Sequence, residues 1–352
     1  MNRSAILYAL ASAVLFGIST PAAKVLLGSI HPAVLAGLFY CGAGLGAALL
    51  RRLGTMGPSR AQSAEVALER RDVPWLAGAI ICGGIVGPLL LMFGLTQTDA
   101  AAASLLLTLE GGATALIAWV YFGENVDRRV GIGMACLVAG VVILSWSRTP
   151  TIERIMGPLA IVGACIAWGL DNNLTRKVSL SDPLQIVQYK GLVAGPVNVM
   201  IGLWAGSSLP QAPALLIAMV VGFVGYGISL ALFVRALRHL GSARTSAYFS
   251  TAPFFGALAA IVALGEPVTA NLLVGGGLMG LGVWLHLTER HEHQHVHDEM
   301  AHAHPHVHDE HHRHEHSASD PPGEPHTHAH RHARLSHAHP HVPDMHHLHR
   351  HE

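Results

Sequence analysis

Apolar stretches of about twenty residues recur along the first 290 positions of this chain with little between them. This recurrence limits the fold more than any motif does. A helix needs about 20 mainly apolar residues to cross the ~30 Å hydrocarbon core of a bilayer. Ten stretches of that kind can be placed, at 5–28, 32–50, 74–95, 99–122, 130–147, 156–175, 184–205, 213–236, 243–264 and 270–288. They are too long for strands and lack strand alternation. In lipid the backbone must satisfy its own hydrogen bonds, which leaves helices. The expected fold is an all-α membrane protein of ten transmembrane helices. Only 12% of the residues are charged, about half the share of an ordinary soluble domain.

The formal net charge of zero averages two unlike regions. Residues 1–290 carry 18 Lys+Arg against 12 Asp+Glu, whereas residues 291–352 carry 4 against 10 and hold 23 of the 26 histidines. The chain therefore divides into a hydrophobic body and a polar, His-rich tail at 289–352. Cys41, Cys82, Cys136 and Cys165 all sit in apolar stretches without ligand spacing, so they read as buried thiols and not as a disulfide framework. No GxxxxGK[ST] and no strand-linked GxGxxG occurs, and nothing points to nucleic acid. For want of a nucleophile–base constellation, the chain does not read as an enzyme, and no cofactor is required.

The body repeats itself. Phe16-Gly17 with Lys24 returns as Trp168-Gly169 with Arg176, at an offset of 152. Gly123-Glu124 returns as Gly265-Glu266 at an offset of 142, and at that offset Ser104, Gly133 and Gly140 fall on Ser246, Gly275 and Gly282. The change of offset is absorbed by the polar loop 51–73, longer than its counterpart 206–212. Two five-helix repeats follow, at 5–147 and 156–288. Five is odd, so the second must lie upside down relative to the first, an arrangement typical of secondary transporters. The first helix has a partner later in the chain, which argues that it is retained and is not a cleaved signal peptide. Short-loop Lys and Arg gather on one side: Arg3, Arg51, Arg52, Arg60, Arg70, Arg71, Arg128, Arg129, Arg176, Lys177, Arg238, Arg244 and Arg290. Arg148 and Arg154 fall on the other. Both termini are expected in the cytoplasm.

These residues resemble the EamA-type members of the drug/metabolite transporter superfamily. The resemblance rests on the FG…K and WG…RK patterns of helices one and six and on the two GE endings. The passages "LMFGLTQTDAAAAS" and "LFVRALRHLGSARTS" leading into helices four and nine add to it. It implies a ten-helix bundle in the inner membrane that exports small polar metabolites, often amino acids, by alternating access. One departure is that helix four reads "TLEGGATA" where the family more usually has a proline, as in "STAPFFGA" of helix nine.

That departure marks the first candidate site. Glu110 lies midway along helix four, followed by Gly111 and Gly112; at the 142 offset these fall on Ala252, Pro253 and Phe254. Helix breakers at corresponding positions of two halves point to a transporter's central site. A mid-membrane carboxylate costs roughly 2.5–3.5 kcal/mol to insert, so it faces a cavity or a partner and suits a proton carrier. Asp171, followed by Asn172 and Asn173, is a second candidate; its place nearer the cytoplasm leaves partial exposure as the competing reading. Lys24 and Arg176 either snorkel to the interface or counter the carboxylates, snorkelling being the simpler reading. Lys190, deeper in helix seven, needs a partner or an anionic substrate. Tyr8, Tyr40, Trp168, Tyr189, Tyr226 and Tyr248 are candidate pocket aromatics, although single aromatics more often serve as packing or interface anchors. Glu124 and Glu266 read as helix-end features without a transport role.

The tail lacks apolar periodicity and is expected to be disordered. Its histidines recur mostly two apart: His291, His293, His295 and His297; His302, His304, His306 and His308; His326, His328, His330 and His332. His311, His312, His314 and His316 lie between. Neutral imidazoles with carboxylates and no cysteine suit zinc, nickel or cobalt. The expected partners are the bilayer, a small polar substrate and divalent metal ions, with a homodimer left open. The alternative function is export of a divalent transition metal fed by the tail. The body weighs against it, because its helices offer no cluster of His, Asp and Glu.

Overall fold

The computed structural model describes residues 3–55, 68, 70–122, 128–145, 152–178, 181–233, 236, 245 and 248–288. In the tail it describes the backbone of 291–297, 300–306, 326–332 and 335–341. Up to Thr288 the described chain is helical. In order it forms α1 (Arg3–Leu26), α2 (Pro32–Thr55), α3 (Val73–Ala79), α4 (Gly87–Gln97), α5 (Ala100–Leu106) and α6 (Leu109–Phe122). There follow α7 (Arg128–Ser145), α8 (Ile152–Arg176), α9 (Pro183–Trp204), α10 (Ala212–Gly222), α11 (Ala252–Leu264) and α12 (Ala270–Leu287). Seven described stretches are long and apolar enough to cross a membrane: Ser4–Leu26, Pro32–Leu53, Arg70–Gln97, Ala100–Tyr121, Ile155–Thr175, Leu184–Trp204 and Ala212–Phe233. Three more apolar helices, Gly131–Ser145, Ala252–Leu264 and Ala270–His286, are shorter. The stretch expected as one span over 243–264 turns at Ser250–Thr251, which is why α11 starts late.

Helix ends follow local chemistry. Asp182 caps α9 by accepting from Leu184 N, and Thr269 caps α12 by accepting from Leu272 N. Gly265 ends α11 in the left-handed region at φ 69°, which glycine adopts without a Cβ penalty.

Two wide π-helical turns interrupt the bundle, at Ile80–Val86 and Phe223–Ile228. They coincide at the 142-residue offset. The first has a visible cause. Pro88 has no N–H to offer, and the carbonyls four and five residues before it, Gly84 and Gly83, take side-chain donors instead. Asn198 Nδ2 donates to Gly84 O at 2.8 Å, and Tyr40 OH and Trp168 Nε1 donate to Gly83 O at 2.5 and 3.0 Å. Such bulges gather at functional sites.

The two halves pack through matching glycine contacts. Gly17 of α1 lies on the backbone of α11, where an added Cβ would overlap Ala252 O; Gly169 of α8, its counterpart, faces Ala113 and Thr114 of α6, which an added Cβ would meet at 3.0 Å. Small residues let helix backbones approach closely in this way. α2 runs against α9 through Gly37, Gly44, Gly191 and Gly195, and α7 against α12 through Gly133, Gly140 and Gly282.

Where the tail reads as lacking regular structure, its described backbone forms two antiparallel ribbons. β1 (His291–His297) pairs with β4 (Leu335–His341), and β2 (Met300–His306) with β3 (His326–His332). The difference follows from the alternation of histidine with other residues, which is itself a period of two and compatible with strands. Periodic apolar residues are what it lacks.

Candidate functional site

Asp171 and Lys190 meet inside the bundle. α8 carries Asp171 and α9 carries Lys190, whose Nζ donates to both carboxylate oxygens at 2.6 Å. Thr175, one turn further along α8, donates to Oδ1 at 2.9 Å. The side chains of Lys190 and Asp171 are 14% and 9% exposed. Of the two readings open for Asp171, the structure favours burial over partial exposure, because the bulged turn has no side chain at Gly83: a Cβ there would overlap the carboxylate. The same turn receives Trp168 and Tyr40. Lys190 finds the partner its depth required. Charge-assisted bonds of this kind fix both groups.

Glu110 stands beside this pair on α6. Its Oε1 accepts from Asn172 Nδ2 at 3.0 Å, and Asn172 also donates to Thr114 Oγ1 at 3.2 Å. Asn173 turns to Thr114 O and Gly169 O, at 3.1 and 2.8 Å, and pins α6 to α8. The helix break lies ahead of Glu110 and not at Gly111-Gly112, which are ordinary positions of α6. Thr108 Oγ1 takes Leu105 O at 2.8 Å, Cys165 Sγ donates to Leu106 O at 3.6 Å, and α5 closes at Leu107–Thr108. A threonine bonding back to its own helix competes with the helical ladder in this way. The second repeat breaks at the corresponding place, Ser250–Thr251, and Pro253 opens α11 just beyond it.

The second repeat's half of the site is aromatic. Tyr226, within the second π turn, lies 5.4 Å from Phe16, 6.0 Å from Phe39 and 5.8 Å from Tyr40, centroid to centroid. Phe249 packs on Phe16 at 5.4 Å and Phe233 at 5.1 Å. Tyr248 is a candidate from the sequence, but its neighbour Phe249 makes these ring contacts. Helix phase decides which of two adjacent aromatics turns inward.

Lys24 meets backbone and not a carboxylate: its Nζ donates to Leu95 O and Thr98 O at 2.6 and 2.8 Å. Glu266, passed over as a helix-end feature, accepts from Ala100 N and Ala101 N, both at 2.7 Å. The backbone of Arg176 ends α8; its side chain, like Glu124, lies outside the described residues. Among the described residues no three His, Cys, Asp or Glu gather to hold a metal ion. His308, His311, His312, His314 and His316 lie outside the described residues.

Comparison with known proteins agrees with this architecture. The profile described as "EamA-like transporter family" matches twice, over residues 3–146 and 155–288. A protein named an uncharacterized transporter, from Methanothermobacter thermautotrophicus, is 28% identical over 283 residues, covering 77% of this chain and 82% of its own. The uncharacterized transporter YyaM of Bacillus subtilis is 26% identical over 231 residues, 61% of this chain and 73% of that one. Over 81 residues the chain is 31% identical to the multidrug resistance protein EbrB of Bacillus atrophaeus, covering 23% of this chain and 69% of EbrB. A solved crystal structure aligns with a TM-score of 0.58 over 81% of this chain and 96% of its own, at 18% identity, which speaks to fold alone.

Proposed function

The chain belongs to the EamA-like transporter family, and from that premise we propose that it is an inner-membrane secondary transporter exporting a small polar, amino-acid-like metabolite by alternating access. In this reading ten spans form two inverted five-helix repeats with both termini in the cytoplasm. The observation that carries it is the buried Asp171–Lys190 pair against the first π turn, with Glu110 next to it. Ionisable groups inside a spanning bundle are costly and mark solute or proton paths. A pair of opposite charges can open to receive a solute carrying both signs, with Lys190 taking its anionic group and Asp171 its cationic one. Glu110 is the proton carrier, released from or returned to Asn172 as it exchanges its proton. Trp168, Tyr40 and Tyr226 form the wall against which the solute's apolar part rests.

The tail is proposed as a metal-binding accessory for zinc, nickel or cobalt. Register supports this: His291, His293 and His295 stand opposite His341, His339 and His337. Likewise His302, His304 and His306 stand opposite His330, His328 and His326. Directly opposed residues of an antiparallel pair have Cβ atoms about 4.5–5.5 Å apart, a spacing from which two imidazoles reach one ion. Transport of the metal itself has no comparable support in the body.

The test compares metabolite and metal levels between cells with and without the protein. Loss of export of one or more small polar solutes, with metal levels unchanged, is the expected result; a change confined to metals would replace this reading with metal export. A reporter active only in the periplasm, fused after Arg290, is expected to stay silent.

A further inference from the structure

We propose that Lys24 and Glu266 form a latch that closes one mouth of the transport path, and that Asp99 is the group that takes over when the latch opens. The junction between α4 and α5 is two residues long, Thr98 and Asp99, both with extended backbone. Two helix ends therefore face each other across it: the carbonyl end of α4 and the N–H end of α5. Unpaired groups at helix ends must find partners, and they carry opposite partial charges. Lys24, from the last turn of α1, covers the carbonyl end. Glu266, from beyond the end of α11, covers the N–H end with both carboxylate oxygens. The signs match the two dipole ends, and the two groups come from different repeats.

The local alternative is present and unused. Asp99 occupies the N-cap position of α5, a favoured place for aspartate, yet its side chain makes no capping bond. A structural cap would need only Asp99. Using Glu266 instead ties the junction to a helix of the other half, and leaves Asp99 free to satisfy the same N–H end once Glu266 departs. The N–H end then keeps a partner in either state. That is the requirement for a two-position element.

The packing below the junction shows what the latch holds. α5 lies against α11 and α1, whereas α6, beyond the Leu107–Thr108 break, lies against α8 and α7. Ser104 of α5 sits at the α5–α11 contact, where a Cβ on Gly256 would come within 2.7 Å of its Oγ. It is 1% exposed. Release of Lys24 and Glu266 lets α5 swing from α11 about the break and wets Ser104. That this mouth faces away from the cytoplasm rests on the topology proposed above.

The experiment labels Ser104→Cys with a membrane-impermeant thiol reagent in right-side-out vesicles, reading modification of the peptide that contains position 104. Glu266→Gln and Lys24→Met each weaken a charge-assisted bond and are expected to raise the labelling rate about tenfold. Asp99→Ala removes the open-state cap and is expected to lower it. Opposite signs separate a latch from general loosening, which would raise the rate in all three. Unchanged labelling in Glu266→Gln and Lys24→Met, or faster labelling in Asp99→Ala, overturns the proposal. Should the first two variants fail to insert, Asp99→Ala leaves both latch groups intact and decides alone, slower labelling supporting it and equal or faster labelling overturning it. Labelling with these same signs only from the opposite membrane face would fault the topology and leave the latch standing.

Discussion

The two interfaces that carry the bulged turns share a geometry and differ in chemistry. In the first repeat's bulge Gly83 receives Asp171; in the second, Gly225 receives Ser19, the residue 152 positions earlier, with an added Cβ coming within 2.8 Å of Ser19 Cβ. Trp168 corresponds to Phe16, Glu110 to Ala252, and Asn172 to Thr20. Ser19 bonds to its own helix, donating to Phe16 O at 2.6 Å, whereas Asp171 bonds across to Lys190. α1 and the stretch just past the second π turn join through neutral groups as well: Ser12 Oγ donates to Ser229 O at 2.8 Å. The duplicated backbone supplies two cradles, and only one of them is charged. Irregular backbone is thus the shared device, and the ionisable groups are a specialisation of one half.

The strongest way to break that comparison is at the charged cradle. Asp171→Asn leaves Lys190 buried beside a neutral group, which costs about 3–5 kcal/mol. A large fall in melting temperature of the detergent-purified protein and loss of flux are expected. Adding Lys190→Met should restore the melting temperature and not the flux. Ser19→Ala, the matching change in the neutral cradle, should cost at most about 1 kcal/mol of stability, the usual scale of one hydrogen bond, and shift the melting temperature only slightly. Equal effects of Asp171→Asn and Ser19→Ala would remove the distinction.

The next effect sharpens the shared part. Gly83→Ala pushes a methyl into a carboxylate that Lys190 and Thr175 hold in place. Gly225→Ala meets only the side chain of Ser19 and the Leu15 carbonyl at 3.5 Å. Overpacking costs roughly 1–3 kcal/mol, and Gly83→Ala is expected at or above the top of that range with Gly225→Ala below it. Thermal unfolding of both variants in one detergent reads the difference.

The smallest effect on transport is expected from the tail. A chain stopped after Arg290 keeps both matched repeats, and its flux should stay within about threefold, less than 1 kcal/mol on the barrier. It should lose zinc and nickel binding measured by calorimetry. Loss of all flux at unchanged membrane abundance would make the tail part of the transport path.

The repeats and their apolar helices were legible in the sequence because hydrophobic length and internal offsets are properties of the chain itself. Glu110, Asp171 and Lys190 stood out because an ionisable residue in an apolar run is conspicuous. Their pairing was not legible, since it depends on how α8 and α9 are phased about Gly83. Pro88 announced the first π turn, and its missing N–H could have been followed to the orphaned carbonyls of Gly83 and Gly84. The partners of Lys24 and Glu266 were not legible, because they are backbone groups at a break, which no residue type reveals. The contacts of Phe249 were not legible, since no helix phase carries across the turn at Ser250.

The central claim is that the charged cradle couples solute movement to a proton through Glu110. The direct measurement is flux of a mixture of amino acids into reconstituted vesicles under an imposed pH gradient, comparing wild type with Glu110→Gln at equal reconstitution. The account predicts gradient-driven accumulation of at least one solute by the wild type, and its loss in Glu110→Gln while exchange of that solute without a gradient persists. Gradient-driven accumulation by Glu110→Gln equal to that of the wild type would contradict it.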